Sequence, residues 1–167
     1  MRIIHLIGIP ALLLAACGGG GDDSGNGDEG GGATEIDACA LITQADAAGL
    51  FGRSPAQEEG AYTPDPAFLG ECLWSWEAPD YSNMFLAIYV WDNSSGLYYV
   101  TEEGSESLAI GDEGYIRVTP GSDIDIGWRQ DDFSLDVTWA TIGPMVPEAT
   151  SKLDEVVAIA QQASARL

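Results

Sequence analysis

The most regular pattern in the chain lies between residues 123 and 139. Ile124, Ile126 and Trp128 alternate with Asp123, Asp125 and Arg129, and Phe133, Leu135, Val137 and Trp139 alternate with Ser134, Asp136 and Thr138. A period of two predicts two half-buried strands. A one-residue slip would flip every side chain to the other face. An antiparallel hairpin therefore keeps both apolar rows together when Trp128 pairs with Leu135, Ile126 with Val137, and Ile124 with Trp139. That register demands an even turn centred on Asp131-Asp132, because an odd loop would set Arg129 against Phe133.

The same reading extends upstream. Cys72 to Trp76 alternates, Phe85 to Trp91 is apolar at nearly every position as a central strand would be, and Tyr115 to Thr119 predicts another strand. Weaker strand signals fall at Tyr98–Val100 and Leu108–Ile110. Asp92 to Gly96 reads as a turn, and residues 53–71, with Pro55, Pro64 and Pro66, read as a loop.

Helical spacing appears at both ends of this region. Thr43 followed by Asp46 forms a capping box, Ile42 can staple onto Ala47, and the helix runs over Ala45, Ala48 and Phe51 to a stop at Gly52. Pro147 suits a first helical position, with Glu148 in the positive first turn. Ala149, Leu153, Val156, Val157, Ala160, Ala163 and Leu167 then form one stripe. The expected fold of residues 36–167 is a single α+β domain: a twisted antiparallel sheet with an N-terminal and a C-terminal helix packed mainly on one face. No internal repeat is visible.

Residues 1–35 follow other rules. Arg2 precedes an apolar run from Ile3 to Leu14 that is too short to span a bilayer, which needs about 20 apolar residues, but suits an export signal. The run ends in Leu14-Ala15-Ala16-Cys17, which resembles the lipobox of bacterial lipoproteins. That resemblance implies diacylglyceryl transfer to Cys17, cleavage before it and N-acylation (palmitate or a similar chain), against the plainer reading of an ordinary signal with a chance cysteine. Two or three acyl chains, at about 0.8 kcal/mol per buried CH₂, make dissociation from a membrane negligible. Residues 18–35, glycine with acidic and small polar residues, cannot bury enough surface to offset their ordering entropy. They read as a disordered tether of roughly 20–25 Å r.m.s. reach. Gly18 after the cysteine fits outer-membrane sorting in a host with two membranes; otherwise the outer face of the cell membrane is expected.

Charge and cysteine usage narrow the chemistry. The chain has 27 acidic and six basic residues and one histidine. Cleavage before Cys17 removes Arg2 and His5, leaving five cations, no histidine and a formal charge of −22. Clustered Lys and Arg for phosphate contacts are absent, so nucleic acid is not an expected partner. Without histidine there is no Ser-His-Asp or Cys-His catalysis and no imidazole metal ligand. With Cys17 acylated, Cys39 and Cys72 remain, and in an oxidising compartment they most simply pair with each other. A reactive thiol would need a basic neighbour, whereas Glu71 and Asp37 lie beside them.

The segments D-A-C-A-L-I-T-Q-A-D-A-A-G-L-F-G, C-L-W-S-W and S-L-A-I-G-D-E-G-Y resemble a family of small envelope lipoproteins of unknown function, common in actinobacteria, with D-x-C-x-L-[LI]-T at the helix entrance. The chain is also distantly similar in outline to the extracellular sensor domain of a mycobacterial receptor Ser/Thr kinase, though it lacks that domain's second cysteine pair. The resemblance covers most of residues 36–167. It implies a Cys39–Cys72 bond, Leu41 and Trp74 in the core, and an α+β fold, and it brings no catalytic residue.

Four further groups bear on function. Asp123, Asp125 and Asp136 share the outward face of the hairpin, with Asp136 diagonal to Asp125, and are weak candidates for a hard cation such as Ca²⁺; the plainer reading is a solvated acidic face. Asp92 to Gly96 has the composition of a calcium loop but not its spacing. Paired carboxylates can run glycoside hydrolysis, but in so acidic a chain chance pairs are guaranteed. Trp74, Trp76, Trp91, Trp128 and Trp139 can stack sugars, yet each lies on a row expected to face the core. The expectation is a lipid-anchored, non-enzymatic binding or accessory protein of the envelope without cofactor or catalytic residues. It would meet the membrane through its anchor and an envelope protein or ligand through its domain. The alternatives are a carboxylate-dependent enzyme on an envelope glycan or peptide, and an acidic structural spacer.

Overall fold

In the computed structural model the described residues are 36–60, 65–96, 101 and 103–167. The signal, Cys17, the tether and the weak strand signal at Tyr98–Val100 lie outside them. Seven antiparallel strands form one sheet in the order β1-β2-β3-β7-β6-β5-β4. They are β1 (Ala56–Glu59), β2 (Phe68–Glu77), β3 (Asn83–Asp92), β4 (Glu106–Leu108), β5 (Glu113–Thr119), β6 (Asp123–Gln130) and β7 (Phe133–Ile142). The helices are α1 (Ala38–Leu41), α2 (Gln44–Phe51) and α3 (Leu153–Arg166). The fold is α+β, as the order of periodicities predicts.

The β6–β7 hairpin has the register that its alternation demands: Trp128 opposite Leu135, Ile126 opposite Val137, Ile124 opposite Trp139. Asp131 and Asp132 make the two-residue turn, Asp131 at φ 51°, a left-handed conformation that aspartate tolerates better than most residues. The Asp112 carboxylate accepts from the Asp131 N–H at 2.9 Å.

One face of the sheet carries the core. Trp74, Leu86, Trp139 and Ile124 are fully buried and aligned across β2, β3, β7 and β6. Burying side chains of this size contributes about 1.5–3 kcal/mol each. All the helices lie on this face, contributing Leu41, Ala47, Leu50, Phe51, Val156, Ala160 and Ala163 to the same core. Phe51 meets Trp139 edge to face at 5.0 Å. The capping box forms as read: the Thr43 hydroxyl accepts from the Asp46 N–H and the Asp46 carboxylate from the Thr43 N–H, and Gly52 ends α2 in the left-handed region. Arg166 near the C-terminus donates to Asp46 at 2.6 Å and to the Leu41 carbonyl at 2.7 Å, tying α3 to both N-terminal helices. Burial alone would raise the Asp46 carboxyl, but Arg166 and Thr43 outweigh it and hold it at about 2.

Cys39 and Cys72 are joined by a disulfide that fastens α1 to β2. No helix among the described residues is long and apolar enough to cross a membrane.

Two expectations need correction, at residues 53–71 and at Pro147, and the structure adds detail at α1 and α2. Residues 53–71 are not all loop, since they contain β1 and the start of β2. Ala56-Gln57-Glu58-Glu59 is an edge strand held by β2 alone, so it needs no apolar row. Asp37 caps α1, a short helix that no periodicity announces in four residues. On α2 the buried positions are Ala47, Leu50 and Phe51, with Ala45 exposed. Pro147 does not start the last helix: a 3₁₀ turn at Ala149–Lys152 intervenes, and α3 begins at Leu153.

Candidate functional site

The second face of the sheet is covered by no helix among the described residues. Its side chains come from the alternate positions of the same strands, and pairing arranges them in rows. One row runs Glu71, Tyr89, Asp136, Gly127, Tyr115 across β2, β3, β7, β6 and β5. The next runs Leu73, Ala87, Thr138, Asp125, Arg117. Trp91 belongs to this face too, opposite Ser134 on β7. The expectation that all five tryptophans face the core therefore fails at Trp91. Trp74, Trp128 and Trp139 are fully buried, while Trp76 lies half-buried at the rim with the Arg53 guanidinium 3.9 Å above its ring.

Gly127 shapes the centre. The Tyr115 ring lies across it so closely that a Cβ there would stand 2.3–2.5 Å from ring and hydroxyl atoms. The missing side chain lets the Tyr115 hydroxyl reach over β6 and donate to Asp136 Oδ2 at 3.2 Å. Thr138 Oγ1 lies 2.9 Å from Asp125 Oδ1 and 3.2 Å from Asp136 Oδ1. Arg117 closes the chain, donating to Asp125 Oδ2 from Nε at 3.2 Å and Nη2 at 2.6 Å.

Counting protons along this chain explains its electrostatics. Thr138 has one hydroxyl proton for two carboxylates, and the shorter bond goes to Asp125. Asp125 is thus fully served, whereas Asp136 holds the Tyr115 hydroxyl and a competing share of Thr138. A protonated Asp136 resolves the shortage by donating to Thr138, which then donates to Asp125. Burial first, and the Asp125 charge second, push the Asp136 carboxyl up to about 6 against the pull of Tyr115, Thr138 and Arg117. Burial would raise Asp123 as well, but hydrogen bonds with Ser122 and Thr119 keep it below its ordinary value.

Asp125 and Asp136 are thus brought together as their diagonal register predicts, with Asp123 one row away on the same face. Asp125 and Asp136 are linked through Thr138, with Arg117 on Asp125, instead of converging on a point. Among the described residues no three acidic, histidine or cysteine side chains are grouped to hold a metal ion.

Beside this network lies an aromatic ledge. The Tyr89 and Trp91 rings are stacked at 5.7 Å with 28° between planes, and Phe68 meets Trp91 edge-on at 5.9 Å. The Tyr89 phenol is raised by burial and by the charges of Glu71 and Asp136, which flank it on neighbouring strands. Among the described residues the exposed large apolar side chains sit elsewhere: Tyr81 in the β2–β3 turn, Val118 near the end of β5, Ile142 at the end of β7 and Met145 beyond it.

The chain matches no known protein-family model, no curated protein and no solved structure.

Proposed function

We propose that this chain is a lipid-anchored protein of the bacterial cell envelope whose sheet domain is a non-enzymatic binding module, presenting the helix-free face to a partner. The observation that carries the anchoring is the pairing of an export-type start ending in Leu14-Ala15-Ala16-Cys17 with a disulfide-bonded domain. Structural disulfides form and persist chiefly in oxidising, exported compartments. The D-A-C-A-L-I-T opening, which resembles small envelope lipoproteins, points the same way. Binding is supported by a face that combines stacked aromatics with carboxylates.

One observation favours the enzyme alternative: Asp136, with its raised carboxyl beside Asp125, has the make-up of a general acid. Two features weigh against it. Asp136 lies under the Tyr115 hydroxyl, and its neighbour Asp125 is already engaged by Arg117 and Thr138 instead of being poised as base or nucleophile. A uniformly acidic spacer fits poorly with the aromatic ledge.

Membrane solubilisation followed by intact-mass analysis tests the anchor. The expected species begins at Cys17 and carries a diacylglyceryl group; a soluble species that retains residues 1–16 contradicts the reading. Affinity capture from the same membranes should recover a partner whose retention falls when Trp91 is replaced.

A further inference from the structure

Deepening the binding-module reading, on which it rests, we propose that the Tyr89–Trp91 ledge, bordered by Glu71, takes an arginine side chain presented by a different protein. The ledge supplies two near-parallel rings, with Phe68 closing one side of Trp91. A guanidinium is planar, stacks on aromatic faces and is attracted by their negative quadrupole. Glu71 stands beside Tyr89, one strand away on β2, and its charge is felt at the phenol; Asp136, on the other side, is buried under Tyr115 and Thr138. A cation lying on the ledge therefore meets the Glu71 carboxylate oxygens at its edge, and a guanidinium can answer them with two N–H donors at once. A quaternary ammonium has no donor for them, and an ammonium is more strongly hydrated and cannot stack.

The chain itself is a poor source of that arginine. Of the five cations left after Cys17, Arg53 covers Trp76, Arg117 holds Asp125, Lys152 holds Glu155, and Arg166 holds Asp46. Arg129 lies on the same face, in the row of Ser134 and Trp91 but two strands from the ledge, with Glu113 opposite it on β5. Two copies at −22 each also repel. The face thus fits a cationic surface of another protein, with arginine as its anchor.

The acylated full chain in non-ionic detergent can be titrated, by fluorescence anisotropy at 0.15 M salt, into a labelled Gly/Ser peptide bearing three arginines or into its lysine counterpart. The arginine peptide should bind about fivefold or more tighter than the lysine one. Trp91→Ala should weaken it about tenfold and Trp91→Phe much less, because a ring remains. Glu71→Gln should weaken it several-fold, while Asp154→Asn, an equal charge change on exposed α3, should leave it within about twofold. Glu71→Gln keeps the test valid if Trp91→Ala unfolds. Equal affinity for the two peptides, equal losses in Glu71→Gln and Asp154→Asn, or no arginine binding each overturns the proposal. Acylation, read separately by mass, shows whether the anchoring stands when the ledge fails.

Discussion

Replacing Asp136 by asparagine should stabilise the domain at neutral pH. Its carboxyl is raised from the ordinary 3.8 to about 6, so between these values the folded state holds a proton that the unfolded chain has lost. Stability contributed by that proton is fully present below pH 3.8 and disappears as pH rises through 6. At 1.36 kcal/mol per pKa unit, the ionised group costs up to about 3 kcal/mol at pH 7.5 relative to a neutral isostere. Asparagine is accommodated: its carbonyl can accept from Tyr115, and its amide can donate to Thr138, whose proton already serves Asp125. Urea unfolding of both proteins from pH 4.5 to 8 isolates the effect, because the general repulsion among carboxylates is common to the two curves. The difference should grow across about pH 4–6, where the two states differ in bound protons, and level off above it at about 1–3 kcal/mol in favour of Asp136→Asn. Parallel curves, or a variant less stable at pH 7.5, would refute the proton count at Thr138.

Three further outcomes are expected. Gly127→Ala forces the Tyr115 ring off β6 and should cost about 1–3 kcal/mol in urea unfolding; a neutral result contradicts the close approach. Without reductant neither Cys39 nor Cys72 should be alkylated, and reduction should remove about 3–4 kcal/mol of stability, given the 33-residue separation of the two cysteines. CaCl₂ and NaCl at matched ionic strength should raise the melting midpoint alike, since Asp125 is engaged by Arg117 and Thr138; a Ca²⁺-specific rise lost in Asp125→Asn would make this a calcium-dependent module.

What could be read from the chain and what could not divide on physical lines. The β6–β7 register was legible because two alternating rows admit one pairing that keeps both on one face. The capping box was legible because it is local. The faces of β3 were not: apolar at nearly every position, it offers no alternation to say that Trp91 and Tyr89 point away from Met84 and Leu86. The polar edge strand β1 shows no period because it buries little. Of the open-face network, the diagonal pair Asp125 and Asp136 followed from register. Tyr115 and Glu71 did not, because their places depend on the long-range order of strands. One signal was available. A lone glycine inside a strand, Gly127, marks a close approach by another group.

Membrane anchoring depends on Cys17 as the acyl acceptor. Metabolic labelling with an alkyne fatty acid, comparing the wild-type chain with Cys17→Ser, tests it most directly. The wild type should be labelled and recovered with membranes, and the variant should be unlabelled and either uncleaved or shed. Equal labelling of the two proteins, or none in the wild type, would contradict it.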